Sequence, residues 1–199
     1  MTFESGIKKD KAFLRREKLK ERKALKESEL LCINKGVAEN VRSLHQYKNA
    51  EAVYFYMAAG NEVSLLELFD ECVRNGKTCV FPRVINEFQM EFFIVEGMEQ
   101  LIEGYRGILE PDGKCPLYEY DGKRAVMLVP AAVFDRNGGR IGMGKGFYDR
   151  YISSHNIGCL IGICGEYQLA DKVPMDKHDR YMDIVVTEKA VYRGMEDSE

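Results

Sequence analysis

The chain has 199 residues, 45% of them hydrophobic, with 29 Lys and Arg against 32 Asp and Glu for a formal net charge of −3. That size suits one domain, residues 1–199, with a substantial core, and the charge argues against a general nucleic-acid binder. No apolar run approaches the ~20 residues needed to span a bilayer, and the first residues are charged where a secretory signal is apolar, so a cytoplasmic protein without a membrane partner is expected. The cysteines, Cys32, Cys72, Cys79, Cys115, Cys159 and Cys164, include no C-x-x-C pair, and several sit in apolar runs. Reduced thiols fit that pattern better than disulfides or a structural zinc.

From the N-terminus, ten Lys and Arg residues between Lys8 and Lys26 alternate with Phe13, Leu14, Leu19 and Leu25, which predicts an amphipathic helix with a basic face. On residue type alone that face is solvated and paired locally with Asp10, Glu17 and Glu21, and an RNA-binding role lacks accompanying aromatic or glycine-rich features. A second helix is predicted over 28–46, with Leu30, Leu31, Val37, Val41 and Leu44 facing the core and His45 at its C-terminal end. Residues 52–56 read as a buried strand, 57–62 as a loop, 63–75 as a helix closed by Gly76, and 78–81 as a strand ended by Pro82. Strand, helix and strand at this spacing predict parallel pairing in an α/β sheet, with the loop after the first strand at the carboxyl edge, where ligands of such folds bind. Glu62 lies in that loop, and on residue type alone reads as a first-turn helix acid.

Residues 90–95 suggest an antiparallel edge strand, and Glu110 before Pro111 must be extended, orienting a site or ending a strand. The stretch from Ala125 to Tyr151 is the most informative. Val126–Val129 read as a buried strand ending at Pro130; Gly138, Gly139, Gly142, Gly144 and Gly146 follow within nine positions; and Phe147–Ile152 begin a helix. Strand, glycine loop and helix together make an anion cradle, because loop amides and a helix N-terminus point partial positive charge at one place. It is not a standard P-loop, since Gly146 stands where Ser or Thr would hold magnesium, and G-x-G-x-G is not the dinucleotide fingerprint. Arg140 and Lys145 supply cations, and Asp149 supplies an oxygen suited to magnesium, although singly it would serve as well to pair with Arg150. Further on, 159–164 read as a central strand and 184–187 as the last one.

These residues resemble the 5-formyltetrahydrofolate cyclo-ligase family, also called methenyltetrahydrofolate synthetases. Val129-Pro130, Phe134-Asp135, Gly138, Arg140, Gly142, Gly144, Gly146, Tyr148-Asp149 and Arg150 stand where the family signature has its counterparts. Met143 replaces a frequent aromatic, and Phe147 keeps the ring of a Tyr without its hydroxyl. The resemblance implies an ATP site at Lys11-Ala12-Phe13-Leu14-Arg15 and along Arg140, Gly142, Met143, Gly144, Lys145, Gly146, Phe147 and Tyr148. It implies a folate pocket of Met57, Glu62 and the run from Met143 to Phe147, catalytic roles for Arg140, Lys145 and Tyr148, and magnesium on Asp149 with Asp179, Asp183 being the alternative. The segment 105–111 is similar to the family's F-G-I-x-E-P.

The expected fold is a three-layer αβα domain with a mostly parallel, Rossmann-like sheet. The resemblance implies ATP- and magnesium-dependent cyclisation of 5-formyltetrahydrofolate to 5,10-methenyltetrahydrofolate, by phosphorylation of the formyl oxygen and attack by N10, in a monomer that binds no nucleic acid. Two other classes also suit the residues: a sugar-phosphate isomerase or acyl-CoA transferase needing neither ATP nor magnesium, and a non-catalytic nucleotide-responsive or RNA-binding protein using the basic helix.

Overall fold

A computed structural model describes residues 3–120 and 124–194, with side chains from residue 6 onward. The helices are α1 (Phe3–Ala24), α2 (Glu27–Ser43), α3 (His45–Lys48), α4 (Leu66–Arg74) and α5 (Phe147–Ser154). The strands are β1 (Ala52–Tyr54), β2 (Thr78–Val84), β3 (Met90–Ile94), β4 (Leu101–Glu103), β5 (Leu109–Pro111), β6 (Ala125–Pro130), β7 (Val133–Asp135), β8 (Arg140–Ile141), β9 (Cys159–Ile163), β10 (Leu169–Ala170), β11 (Ile184–Val186) and β12 (Val191–Arg193).

Seven strands form the main sheet in the order β12-β11-β9-β6-β1-β2-β3. The five inner strands pair in parallel, and β3 and β12 close the edges antiparallel. β1 and β6 are neighbours with β2 on the far side of β1, so the direction of winding reverses between them. Loops leaving the carboxyl ends of β1 and β6 therefore diverge there and leave a crevice. Because side chains alternate along a strand, the sheet feeds two cores: Val126 and Leu128 of β6 join α2 and α4 on one face, while Met127 and Val129 join α5 on the other. The mixed α/β architecture with a mostly parallel sheet is the one expected.

Several boundaries differ from the sequence-based expectation. β2 runs through Pro82 to Val84, because its pairing with β1 ends at Val80 and beyond it the strand pairs with the edge strand β3, where a missing N–H is tolerated. The second helix breaks at Leu44, which is extended (φ −67°, ψ 129°), so His45 begins α3 rather than ending α2. The buried face of α2 is Ile33, Val37, Ala38 and Val41, while Leu31 is 61% exposed. α4 starts at Leu66, three residues later than predicted. β12 lies beyond the strand read as the last.

The glycine-rich segment is not a plain loop. β7 and β8 form a hairpin inside it, extended by β10, and the buried carboxylate of Asp135 accepts from the backbone N–H of Asn137 (2.9 Å), Gly139 (2.8 Å) and Val173 (2.7 Å). A small apolar cluster of Ala132, Val133, Ile141 and Val173 forms beneath the hairpin and receives Leu14 and Leu19 of α1. The amphipathic N-terminal helix thus docks on the segment that carries the glycines. All six cysteines are free, with Cys32 exposed and the others buried. Among the described residues no helix is long and apolar enough to cross a membrane.

Candidate active site

At the crevice between the β1 and β6 loops lies a cavity of about 530 Å³, within the range of ligand pockets. Its wall brings together most of the residues singled out from the sequence: Lys11 and Arg15 from α1, Met57 and Glu62 from the loop after β1, Arg140 on β8, the run from Gly142 to Asp149, and Asp179.

The five glycines divide into two groups. Gly138 (φ 89°) packs so tightly on the backbone of Met182 that a Cβ would stand well inside contact with the Met182 carbonyl oxygen, and Gly138 accepts the Met182 N–H (2.9 Å). It belongs, with Gly139, to the hairpin turn. Gly144 (φ 93°) instead lines the cavity, and a Cβ there would meet the Arg15 guanidinium only at an ordinary 3.8 Å. Gly146, at φ 68°, is the N-cap of α5. The cradle is therefore the run from Gly142 to Gly146 at the start of a helix, where amides and dipole favour an anion.

Cations and acids alternate around this cradle. Arg15 donates Nε to the Gly142 carbonyl (2.8 Å), which fixes α1 against the loop. Arg140 is 5% exposed, pairs through Nη2 with Asp149, and keeps a buried Nε–H with no hydrogen-bond partner among the described residues. Lys145 stands exposed in the wall with no ion-pair partner among the described residues. Lys11 contacts Asp179 and, at 3.0 Å, Asp176. Burial by itself would lower the Lys11 ammonium, but the hydrogen bonds it donates to Asp179 and Asp176 outweigh that and raise it above its ordinary value. Asp149 also accepts the Arg180 N–H (3.4 Å), so the segment that carries Asp179 abuts Asp149 and the two carboxylates share a wall. Asp183 is elsewhere: it accepts the Leu160 N–H (2.6 Å) and ties β9 to the start of β11.

The opposite wall is apolar. Met57, Val84, Met90, Ile108, Leu109 and Phe147 line it, and the Tyr105 and Phe147 rings meet edge to face at 6.3 Å. Glu62 is its anionic group. It precedes α4 by four residues and accepts the Ala59 N–H (2.9 Å) and the Arg22 guanidinium (2.9 Å), so it is a loop anchor and not a first-turn helix acid. Tyr148 is pushed above its ordinary value by burial and then by the Glu62 charge, against an opposing effect of Arg140, so its hydroxyl stays protonated at neutral pH and can only donate or accept as O–H.

Two groups of wall residues were misread or left unassigned in the sequence. Arg22 was assigned to a solvated basic face, yet Lys11, Arg15 and Arg22 are all turned into the cavity. Their spacing of four and seven residues returns to one stripe of an α-helix, a signal that was present. Only Arg16–Glu17 and Lys18–Glu21 make the local pairs expected of that face. Tyr105, Arg106 and Glu110 form a lip reached through β4 and β5; the segment stood out by its resemblance alone, and Glu110 was left between orienting a site and ending a strand. Glu110 accepts the Val84 N–H (3.3 Å) and lies against Gly104, where any side chain would collide with it, so it holds the lip to β2.

A cation-lined cleft at the winding reversal of a mostly parallel sheet defines an α/β protein whose cavity lies where doubly wound enzymes hold their ligands. Comparison with known proteins identifies which. The sequence model of the 5-formyltetrahydrofolate cyclo-ligase family matches residues 7–188, and the chain belongs to that family of folate-metabolising ligases. A Mycolicibacterium smegmatis protein named 5-formyltetrahydrofolate cyclo-ligase is 29% identical over 190 residues, covering 91% of this chain and 95% of its own. One of the same name from Saccharomyces cerevisiae is 28% identical over 175 residues, covering 75% and 82%. The NMR structure of Aquifex aeolicus 5,10-methenyltetrahydrofolate synthetase matches with 30% identity and a TM-score of 0.83, covering 95% of each chain.

Proposed function

We propose that this chain, acting in the cytoplasm as a single-domain monomer, uses ATP and magnesium to convert 5-formyltetrahydrofolate to 5,10-methenyltetrahydrofolate, releasing ADP and phosphate. The observation that carries the reading is that one cavity is lined both by a cationic glycine cradle and by a group of apolar side chains beside the carboxylate of Glu62. Such a lining suits a polyphosphate on one side and a flat heterocycle with N–H edges on the other.

The formyl oxygen is a poor leaving group, so it must first be made a phosphate ester. Its attack on the γ-phosphoryl group forms the O–P bond and breaks the bond to ADP; N10 then attacks the formyl carbon, loses its proton, and phosphate departs. Phosphoryl transfer asks the protein mainly for positioning and charge neutralisation. Lys11, Arg15, Arg140 and Lys145 supply the charge, the amides from Gly142 to Gly146 cradle the phosphates, and the spare Arg140 Nε–H offers a donor already stripped of water. Met57 and Phe147 hold the folate ring, Met143 and Gly144 lie where the two ligands meet, and Tyr148 keeps its hydroxyl proton for a phosphate oxygen.

Two acidic side chains on one wall suit magnesium, which takes one or two carboxylates and completes its octahedron with water and phosphate oxygens. Among the described residues no group of three or more metal-ligating side chains converges, so the ion would be held by Asp149 and Asp179 jointly with the nucleotide. When bound it would neutralise phosphate charge, and Arg140 and Lys11, now paired with those two aspartates, would be released toward the phosphates.

The test is the near-ultraviolet absorbance rise of methenyltetrahydrofolate, with ATP and magnesium omitted in turn, on wild type and Asp149→Ala. The expected result is a rise that needs both, and is reduced about 10²-fold or more in the variant. No rise from folded wild-type protein would sink the reaction, and a rise indifferent to magnesium would remove the metal.

A further inference from the structure

Arg22 sits about three turns beyond Lys11 on α1, but serves the other half of the cavity. Its Nη1 donates to Glu62 Oε1 at 2.9 Å, and both side chains are largely buried, 11% and 13% exposed. The second carboxylate oxygen of Glu62 accepts the Ala59 N–H at 2.9 Å. Each oxygen thus has one fixed donor and retains acceptor capacity. The next residue back, Asn61, donates its side-chain amide to the carbonyls of Arg22 (3.1 Å) and Leu25 (3.4 Å), which caps open carbonyls at the end of α1. One loop therefore grips Arg22 twice, by its guanidinium through Glu62 and by its backbone through Asn61. A carboxylate this buried keeps one orientation only while its hydrogen-bonding cationic partner is present.

We propose that Arg22 is a positioning residue for the folate. It holds Glu62 in a fixed orientation, so that the free acceptor sites of that carboxylate meet the N–H edge of the pterin ring. The inference rests on the folate reading above and adds to it a residue from the nucleotide-side helix. Because α1 also carries Lys11 and Arg15, Arg22 is the point at which that helix sets the geometry of the folate wall. The contribution is to ground-state binding of one substrate, so it separates kinetically from a loss of folded protein.

The experiment measures KM for 5-formyltetrahydrofolate and for ATP with magnesium, together with kcat, in Arg22→Met, Arg22→Lys and Asn61→Ala of the full chain. Arg22→Met is expected to raise the folate KM about tenfold, the worth of one charge-assisted hydrogen bond, while the ATP KM stays within about twofold. Arg22→Lys recovers part of the loss by restoring charge without the planar fork. Asn61→Ala lowers stability and moves neither KM. In the double variant Arg22→Met with Glu62→Gln, the two losses do not add. The proposal is overturned if Arg22→Met lowers kcat with both KM values intact, if both KM values rise together, or if Asn61→Ala reproduces its effect. Equilibrium binding of 5-formyltetrahydrofolate without ATP keeps the two readings apart. Wild-type binding without turnover refutes the reaction and leaves Arg22 to be judged by the loss of binding in Arg22→Met, whereas unchanged binding in that variant refutes the inference alone.

Discussion

Two glycines six residues apart, with nearly the same backbone angle, are expected to respond to alanine in different ways. Gly138 and Gly144 have φ of 89° and 93°, so alanine at either incurs about 1–2 kcal/mol of left-handed strain, offset by roughly 0.4–1 kcal/mol through a less disordered unfolded chain. At Gly144 nothing else is lost, since the new Cβ would meet only the mobile Arg15 guanidinium at 3.8 Å; the net cost to stability is about 1 kcal/mol. At Gly138 the Cβ would also collide with the Met182 carbonyl, while the Met182 N and C lie at 3.1 Å. Met182 is 1% exposed and cannot retreat without repacking. The bond from Met182 N–H to the Gly138 carbonyl must break, adding about 1–3 kcal/mol for the stranded groups, and the total for Gly138→Ala is about 2–4 kcal/mol. Urea unfolding of both variants, with equilibrium binding of ATP and magnesium, checks this. Gly144→Ala should stay folded and lose nucleotide affinity, and Gly138→Ala should lose most of its stability. Equal destabilisation by the two, or a Gly138→Ala protein within 1 kcal/mol of wild type, would refute the division of the segment into turn glycines and cradle glycines.

Asp135→Ala should cost about 3–5 kcal/mol in chemical unfolding, because it strands three N–H donors around a buried site, and Asp135→Asn should recover part of that. Glu166 accepts from Thr187 Oγ1 (2.7 Å) and from the Tyr192 hydroxyl (2.9 Å) and so clasps β12 to the sheet. Burial would raise its carboxyl, but those two hydrogen bonds and the nearby Lys189 and Arg136 charges prevail and hold it below its ordinary 4.5. A depressed folded-state value means the stabilisation is present above 4.5 and lost as pH falls through the folded value. The stability gap between wild type and Glu166→Gln should therefore be constant near neutrality and shrink on acidification below 4.5; a gap that widens with acid would contradict the clasp.

The legible parts of the site share a cause. The strand before Pro130, the glycines and the helix from Phe147 are contiguous, and their chemistry is local: apolar run, positive φ, helix start. The K-x-x-L-R element places Lys11 and Arg15 one helical turn apart, so their common direction also follows from local periodicity. Residues that were missed or misread depend on partners distant in sequence. Arg22 finds Glu62 across 40 residues, Glu110 holds Val84 across 26, and the Tyr105–Glu110 lip joins the cavity only because β5 packs beside β2. The loop reading from Pro130 to Gly146 failed for a related reason: the β7–β8 hairpin has only two to three residues per strand, too few for a visible alternation, and is held by the buried Asp135.

The sequence by itself determined the α/β class, the six main-sheet strands β1, β2, β3, β6, β9 and β11, and the glycine-rich stretch that lines the cavity, because hydrophobic period, proline and glycine act within a few residues of where they stand. Tertiary structure alone decided which glycines serve the turn and which the ligand, which cations of α1 leave solvent for the cavity, and which aspartate, Asp179 or Asp183, faces it. Those choices follow from the strand order, which sets β1 beside β6 and folds α1 over the hairpin. That order is settled by the free energy of burying both faces of the whole sheet at once, a quantity that no local segment contains.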